Sequence, residues 1–291
     1  MNSRGDVLPP DKANDLSDLP PVELAAFHQI VEMIFHIRGV DLRQYRKKSL
    51  RRRISIRMHQ HRIEQFRDYA QLLAKNPAEC DALLDKITIN VTEFFRNPET
   101  YAAVRAEILP RLLEEKLKAG TNVFRVWSAG CASGEEPYSI AIMLRELFVG
   151  KYAHFLPHIY ASDIDDHALA EAKAGVYQER SLRELSLPQR EKYFTRQDAG
   201  LYSVRNDFRT IIRFVHQNMI SDPPFRNIDL IYCRNVIIYF TRELQRKLYE
   251  NFHAALTAGG YLVAGKVEAV LGITDGLFER VNPAEKIFRK M

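Results

Sequence analysis

Three cysteines in 291 residues are too few and too scattered to build a covalent framework. Cys80, Cys131 and Cys233 lie far apart with no C-x-x-C spacing, which argues against a disulfide scaffold or a zinc site and suits a reducing compartment. Equally missing is any apolar run approaching the ~20 residues that a membrane span needs. The first fifteen residues hold no hydrophobic signal core, so a cytoplasmic protein without membrane insertion is expected. The last absence is local. Between residues 42 and 63 there is no Asp or Glu, yet there are nine Lys/Arg, among them Arg46, Lys48, Arg52, Arg53 and Arg57. The net charge of +5 therefore belongs to one segment, and the rest of the chain is mildly acidic. Cations gathered in one place point to a partner, whereas a diffuse excess would speak only of solubility.

What is present falls into two rhythms. Residues 1–20 are polar and proline-spotted and read as a mobile tail. Over 21–90 the pattern is helical: Leu24, Phe27, Ile30, Val31, Ile34 and Ile37 recur at three- and four-residue steps, and Gly39 supplies a stop. Further helices are expected over 42–59, 66–74 and 78–87, giving a small all-helical N-terminal domain. Residues 91–120 read as a linker segment and a joining helix. From 121 to 291, short strand-like runs at 124–128, 158–162, 211–216, 229–233 and 261–265 alternate with helical stretches. That alternation means an α/β domain with a mostly parallel sheet covered on both faces. Residues 176–209 are less regular and read as a small β insert.

In open α/β sheets, ligands bind where strands end, against helix N-termini that offer free N–H groups. Residues Val126-Trp127-Ser128-Ala129-Gly130-Cys131-Ala132-Ser133-Gly134-Glu135-Glu136-Pro137 have that layout, a strand running into small residues and then a helix. Pro137 belongs in a first helical turn, and Ser133 with Glu136 has the spacing of a capping box. A tight strand-to-helix turn with no ligand would look much the same. The glycine spacing is not G-x-G-x-x-G, and two acids at the mouth would repel a pyrophosphate; they suit a ligand with positive charge, such as an amino-sulfonium. One strand later, Asp163 falls where a carboxylate can accept two ribose hydroxyls, while Asp165 or Asp166 caps the next helix.

Five blocks then occur in order: Asn90-Val91-Thr92-Glu93-Phe94-Phe95-Arg96, residues 127–141, Ala161-Ser162-Asp163-Ile164-Asp165, Asn218-Met219, and Cys233-Arg234-Asn235-Val236-Ile237-Ile238-Tyr239-Phe240. Through them the chain resembles CheR-type bacterial chemotaxis receptor methyltransferases. The resemblance implies a Rossmann-like domain using S-adenosylmethionine (SAM) to methylate glutamate side chains of chemoreceptors, with S-adenosylhomocysteine as product. It further implies that Asn90, Thr92 and Arg96 reach over the cofactor, that Gly130 lies in its loop, that Glu136 holds its amino group and Asp163 its ribose. Asn218, Met219, Arg234 and Asn235 would surround the adenosine, and Arg96 and Tyr239 would flank the transferring methyl. A glutamate is already ionised at neutral pH, so such chemistry needs positioning and no general base. No metal is implied. A monomer recruited to receptor arrays is expected.

On a helix, Leu50, Ile54 and Met58 form one buried stripe, and Arg46, Arg53 and Arg57 fall beside it, with Lys48 and Arg52 further round. By composition alone this face suits nucleic acid; the resemblance suggests docking on acidic cytoplasmic helices of receptors instead. Asp222-Pro223-Pro224-Phe225 looks like the motif of amino-methylating nucleic-acid enzymes, but it precedes the fourth strand where theirs follows it. It therefore reads as a proline-stiffened loop, and nucleic-acid N-methylation remains the alternative. Some family members tether a receptor peptide through the β insert. The stretch 193–202 is short here, so peptide-independent action is expected. Lys266, where family members carry a small polar residue, is expected to alter the rim of the site.

Overall fold

The computed structural model describes residues 16–88, 92–268 and 276–291, so Asn90 lies outside the described residues. The chain divides into two compact units, one of residues 1–89 with 239–241, the other of 90–238 with 242–291.

The smaller unit is built on α1 (Pro21–Arg38), α2 (Lys47–Gln60), α3 (Phe66–Lys75) and α4 (Pro77–Thr88). Pro21 opens α1, where its missing N–H costs nothing, and Gly39 closes it at φ 71° with its N–H donated to the Phe35 carbonyl. Leu50, Ile54 and Met58 of α2 are buried, as their four-residue spacing requires. Of the tail expected over residues 1–20, residues 1–15 lie outside the described residues. Leu16 is buried, and the Asp18 carboxylate pairs with Arg51 at 2.5 Å, which ties the chain down from residue 16. Residues 239–241 join this unit because the Arg46 N–H donates to the Tyr239 carbonyl (2.8 Å) and Tyr45 packs edge-on against Phe240.

The larger unit starts with α5 (Pro98–Ala103), a widened π turn (Val104–Ile108) and α6 (Leu109–Lys118). The wide turn sits ahead of Pro110, which cannot donate to the preceding turn. This helical run belongs to the larger unit, where the sequence reading had set it apart as a linker. The chain then runs through β1 (Val123–Ala129), α7 (Glu135–Leu147), β2 (Leu156–Asp163) and α8 (Asp166–Ala174). The insert follows as β3 (Val176–Gln178), α9 (Leu187–Tyr193), β4 (Phe194–Arg196), β5 (Leu201–Val204) and α10 (Asn206–Arg209). Last come β6 (Ile212–His216), β7 (Ile228–Cys233), α11 (Arg242–Ala255), β8 (Leu256–Ala264), β9 (Phe278–Asn282) and β10 (Ile287–Lys290).

Seven strands form one sheet in the order β6-β2-β1-β7-β8-β10-β9, parallel except for β10, which runs antiparallel to β8 and β9. β1 is flanked by β2 on one side and β7 on the other, both parallel to it. The winding reverses there, which opens a crevice at the strands' C-terminal ends. β7 is buried along its whole length, as a central parallel strand must be. The insert's strands make a separate antiparallel sheet in the order β3-β5-β4. The C-terminal β9–β10 pair was not anticipated from the sequence, because its short strands mix charge with apolar residues.

Candidate cofactor site

The loop after β1 is shaped by close approaches. Gly130 sits at φ 79°, and a Cβ there would lie 2.5 Å from the Val236 Cγ2. The Gly130 and Cys131 N–H groups donate to the Ser162 carbonyl (2.8 and 3.0 Å), folding the loop over the end of β2. Gly134 is the N-cap of α7 at φ 97°; a Cβ there would meet Ala172 and the Tyr177 hydroxyl within 2.9 Å. The capping box expected of Ser133 and Glu136 does not form. Because Gly134 takes the cap position, Ser133 lies one residue too early, and its hydroxyl donates to the Glu135 carboxylate (2.7 Å). Asp165 does cap α8, accepting from His167 and Ala168.

Two carboxylates face the crevice with different surroundings. Glu136 accepts from the Ser128 hydroxyl (2.8 Å) and lies 3.7 Å from the Arg234 guanidinium. Burial pushes its carboxyl above the usual range, opposed by Arg234, the Ser128 hydroxyl and Arg96. Asp163 accepts from the Ala132 N–H (2.8 Å) with one oxygen and from the Asp165 N–H (3.1 Å) with the other. Burial raises this carboxyl too, against those amide bonds. Each Asp163 oxygen retains a lone pair, which matches a vicinal diol. Glu135 is buried on its own local partner, so Glu136 is the acid with capacity to spare for an ammonium group.

Neighbouring loops complete the rim. The Gln217 N–H donates to the Asp163 carbonyl (2.9 Å), which sets Asn218 and Met219 beside that strand end. Asn218 is held by the Asp222 carboxylate on its N–H (2.8 Å) and itself accepts from the Ile220 N–H (2.9 Å). Asp222 thus works as a loop clamp, and Phe225 stacks on Tyr160 and meets Trp127 edge-on. These contacts give the DPPF stretch a part in shaping the loop ahead of β7. Arg234 is buried and donates to the Arg96 carbonyl (2.9 Å) and the Asn97 side chain (2.7 Å), with its cation over the Tyr101 ring. Thr92 and Arg96 are half-buried on the segment whose Phe95 N–H donates to the Ser139 hydroxyl of α7 (2.8 Å). Asn235 adopts φ 62° against Gly265, where a Cβ would lie 2.7 Å from the Asn235 nitrogen.

Sequence reasoning missed several of these parts. Ser128, Tyr101, Tyr232 and Glu268 were not singled out. Among the described residues, the Tyr232 hydroxyl and the Arg234 Nε are buried without a hydrogen-bond partner. Orphaned polar atoms around an acid and a guanidinium suit a zwitterionic ligand head and would be costly in a dry, ligand-free turn.

Comparison with known proteins decides the family. The model for the CheR methyltransferase SAM-binding domain matches residues 90–286, and that for the CheR methyltransferase all-alpha domain matches residues 25–88. This chain belongs to the CheR methyltransferase family. It is 37% identical over 237 residues to a chemotaxis protein methyltransferase of Listeria monocytogenes, covering 81% of this chain and 87% of the relative. Another, from Borreliella burgdorferi, is 32% identical over 248 residues, with 84% and 88% covered. An uncharacterized 104.1 kDa protein of Rhodobacter capsulatus is 33% identical over 259 residues; 88% of this chain matches, but it spans only 26% of that relative. This CheR-family protein is a SAM-dependent methyltransferase. The acid at Glu136, the diol acceptor at Asp163 and the Gly130 cradle fit that cofactor.

The basic helix needs one correction. Its cations are not without counter-charge, because partners come from other helices of the same unit. Arg57 donates to the buried Glu79 carboxylate (2.9 and 2.5 Å), which also accepts from Tyr69 (2.6 Å) and pairs with His61 (2.8 Å). Arg57 is therefore a core tie and is removed from the docking face. Arg46, Lys48 and Arg52 are exposed. Arg53 is half-buried, lowered by burial and Arg52 and raised by the nearby Tyr239. Lys266 pairs with Glu99 and, at 3.3 Å, with Glu285, so it staples three segments of the larger unit.

Proposed function

We propose that this protein methylates glutamate side chains on the cytoplasmic helices of chemoreceptors, producing glutamyl methyl esters and S-adenosylhomocysteine. The observation that carries the reading is the company Tyr239 keeps. The Arg46 N–H holds its carbonyl at 2.8 Å, and the Arg53 guanidinium lies within electrostatic reach of its phenolic oxygen. The tyrosine at the end of the family's last motif is thus built onto the basic helix. A substrate that docks on Arg46, Lys48, Arg52 and Arg53 is delivered to Tyr239.

Bound SAM supplies a methyl group already activated on a sulfonium. The protein's residues position and exclude. Glu136 holds the amino group, and Asp163 the ribose hydroxyls. Thr92, Asn218, Met219, Arg234 and Asn235 line the cofactor, with Arg234 also keeping the Arg96 carbonyl in place. The Arg96 side chain pairs loosely with the incoming carboxylate, and the Tyr239 hydroxyl aligns it. A tight ion pair would blunt the nucleophile, so orientation is the larger contribution, of order ~7–11 kcal/mol in favourable cases.

The insert supports action without a receptor peptide tether. Only a short turn, Asp198–Gly200, joins β4 to β5. We infer a monomer working in the cytoplasm at receptor arrays. The test offers labelled SAM together with a receptor cytoplasmic fragment lacking its C-terminal peptide and, separately, with an oligonucleotide. Label is expected in the receptor fragment alone. Label in the oligonucleotide alone would replace this reading with nucleic-acid N-methylation.

A further inference from the structure

A buried carboxylate with no part in the scheme above sits behind the cofactor loops. Glu268 is 2% exposed. Its Oε1 accepts from both the Val236 and the Ile237 N–H (3.1 Å each), and its Oε2 accepts from the Gly265 N–H (2.7 Å). It thereby closes the turn after β7 onto the loop after β8. The turn it grips begins with Asn235 at φ 62°, a left-handed conformation that Asn adopts more readily than most residues. It ends in the single 3-10 turn Ile237–Tyr239. On the other side, Val236 fills the space that the missing Gly130 side chain leaves. One side chain therefore joins the loop after β1, the turn carrying Asn235 and the loop after β8.

We propose that Glu268 is the positioning residue of the cofactor site, holding the Asn235–Ile237 turn against the β1 loop through its ionised carboxylate. The proposal deepens the reading above and rests on it for the roles of Asn235 and Tyr239. Among the described residues, the titratable groups facing Glu268 are Cys233 and Arg234 at the end of β7 and Tyr249 on α11. Burial lifts the Glu268 carboxyl to about 7, opposed by its three amide donors and by Arg234. Protonation would turn one acceptor oxygen into a hydroxyl, which weakens the grip on the acid side of neutrality.

The test reads S-adenosylhomocysteine affinity by calorimetry, with no receptor present, so an error in the assigned substrate cannot imitate its outcome. For the native protein, affinity is expected to weaken roughly tenfold between about pH 8 and pH 6. In Glu268→Gln, the amide oxygen still accepts from Val236 and Ile237. That variant should bind within about threefold of the native protein at pH 8 and show less than half of the native fall toward pH 6. Glu268→Ala should bind roughly tenfold more weakly at pH 8, and the segment containing Val236 and Ile237 should take up deuterium faster. A Glu268→Gln profile falling in parallel with the native one would overturn the ionisation claim. Native affinity and native deuterium uptake in Glu268→Ala would overturn the positioning role altogether.

Discussion

Arg57 and Arg52 differ by five positions on one helix, and their environments assign them opposite tasks. Arg57 ends on Glu79, which is 3% exposed and also carries Tyr69 and His61. Removing the guanidinium leaves a buried carboxylate with only neutral or half-exposed partners. Arg57→Ala should therefore cost about 3 kcal/mol of stability in a chemical-denaturation experiment. Arg52→Ala should leave stability within about 0.5 kcal/mol and weaken receptor binding instead. Equal stability losses in both variants would contradict this division. The sequence showed the basic run but could not show Glu79 beneath it, because that partner lies on another helix. Glu268 was obscure for the same reason: its amide donors at Val236 and Ile237 lie about thirty residues upstream.

At the scale of elements, the site is three loop ends locked by small residues. Five of the seven strands of the main sheet were legible from short apolar runs, and Gly39 and Asp165 acted as the helix signals they resembled. The capping box was misread because spacing alone cannot show that Gly134, at φ 97°, takes the cap for itself. Gly130 is the most exposed point of this design, since φ 79° and the 2.5 Å approach of Val236 both forbid a side chain. Gly130→Ala should keep the circular-dichroism spectrum of the fold and weaken S-adenosylhomocysteine binding by roughly tenfold or more, because the Asn235 turn must move aside. Unchanged affinity would mean that the two loops are not coupled. Lys266, by contrast, is a half-exposed tie between Glu99 and Glu285, and solvent screening leaves such a linkage a small part in stability.

For the whole molecule, the densest positive charge is local: residues 42–63 of the smaller unit hold nine Lys/Arg and no Asp or Glu. Exposed charges are screened beyond about 8 Å at physiological ionic strength, so docking through Arg46, Lys48 and Arg52 should weaken steadily with added salt. Cofactor affinity, if it rests on the buried Glu136 and Asp163 as proposed, should change far less. A receptor KM indifferent to salt would remove the docking role from the basic helix. The central claim is that the acceptor atom is a carboxylate oxygen, and alkali tests it directly. Receptor fragment labelled from methyl-labelled SAM by this protein should release its label as volatile methanol on mild alkaline treatment. Label that stays on the receptor through that treatment would contradict the account.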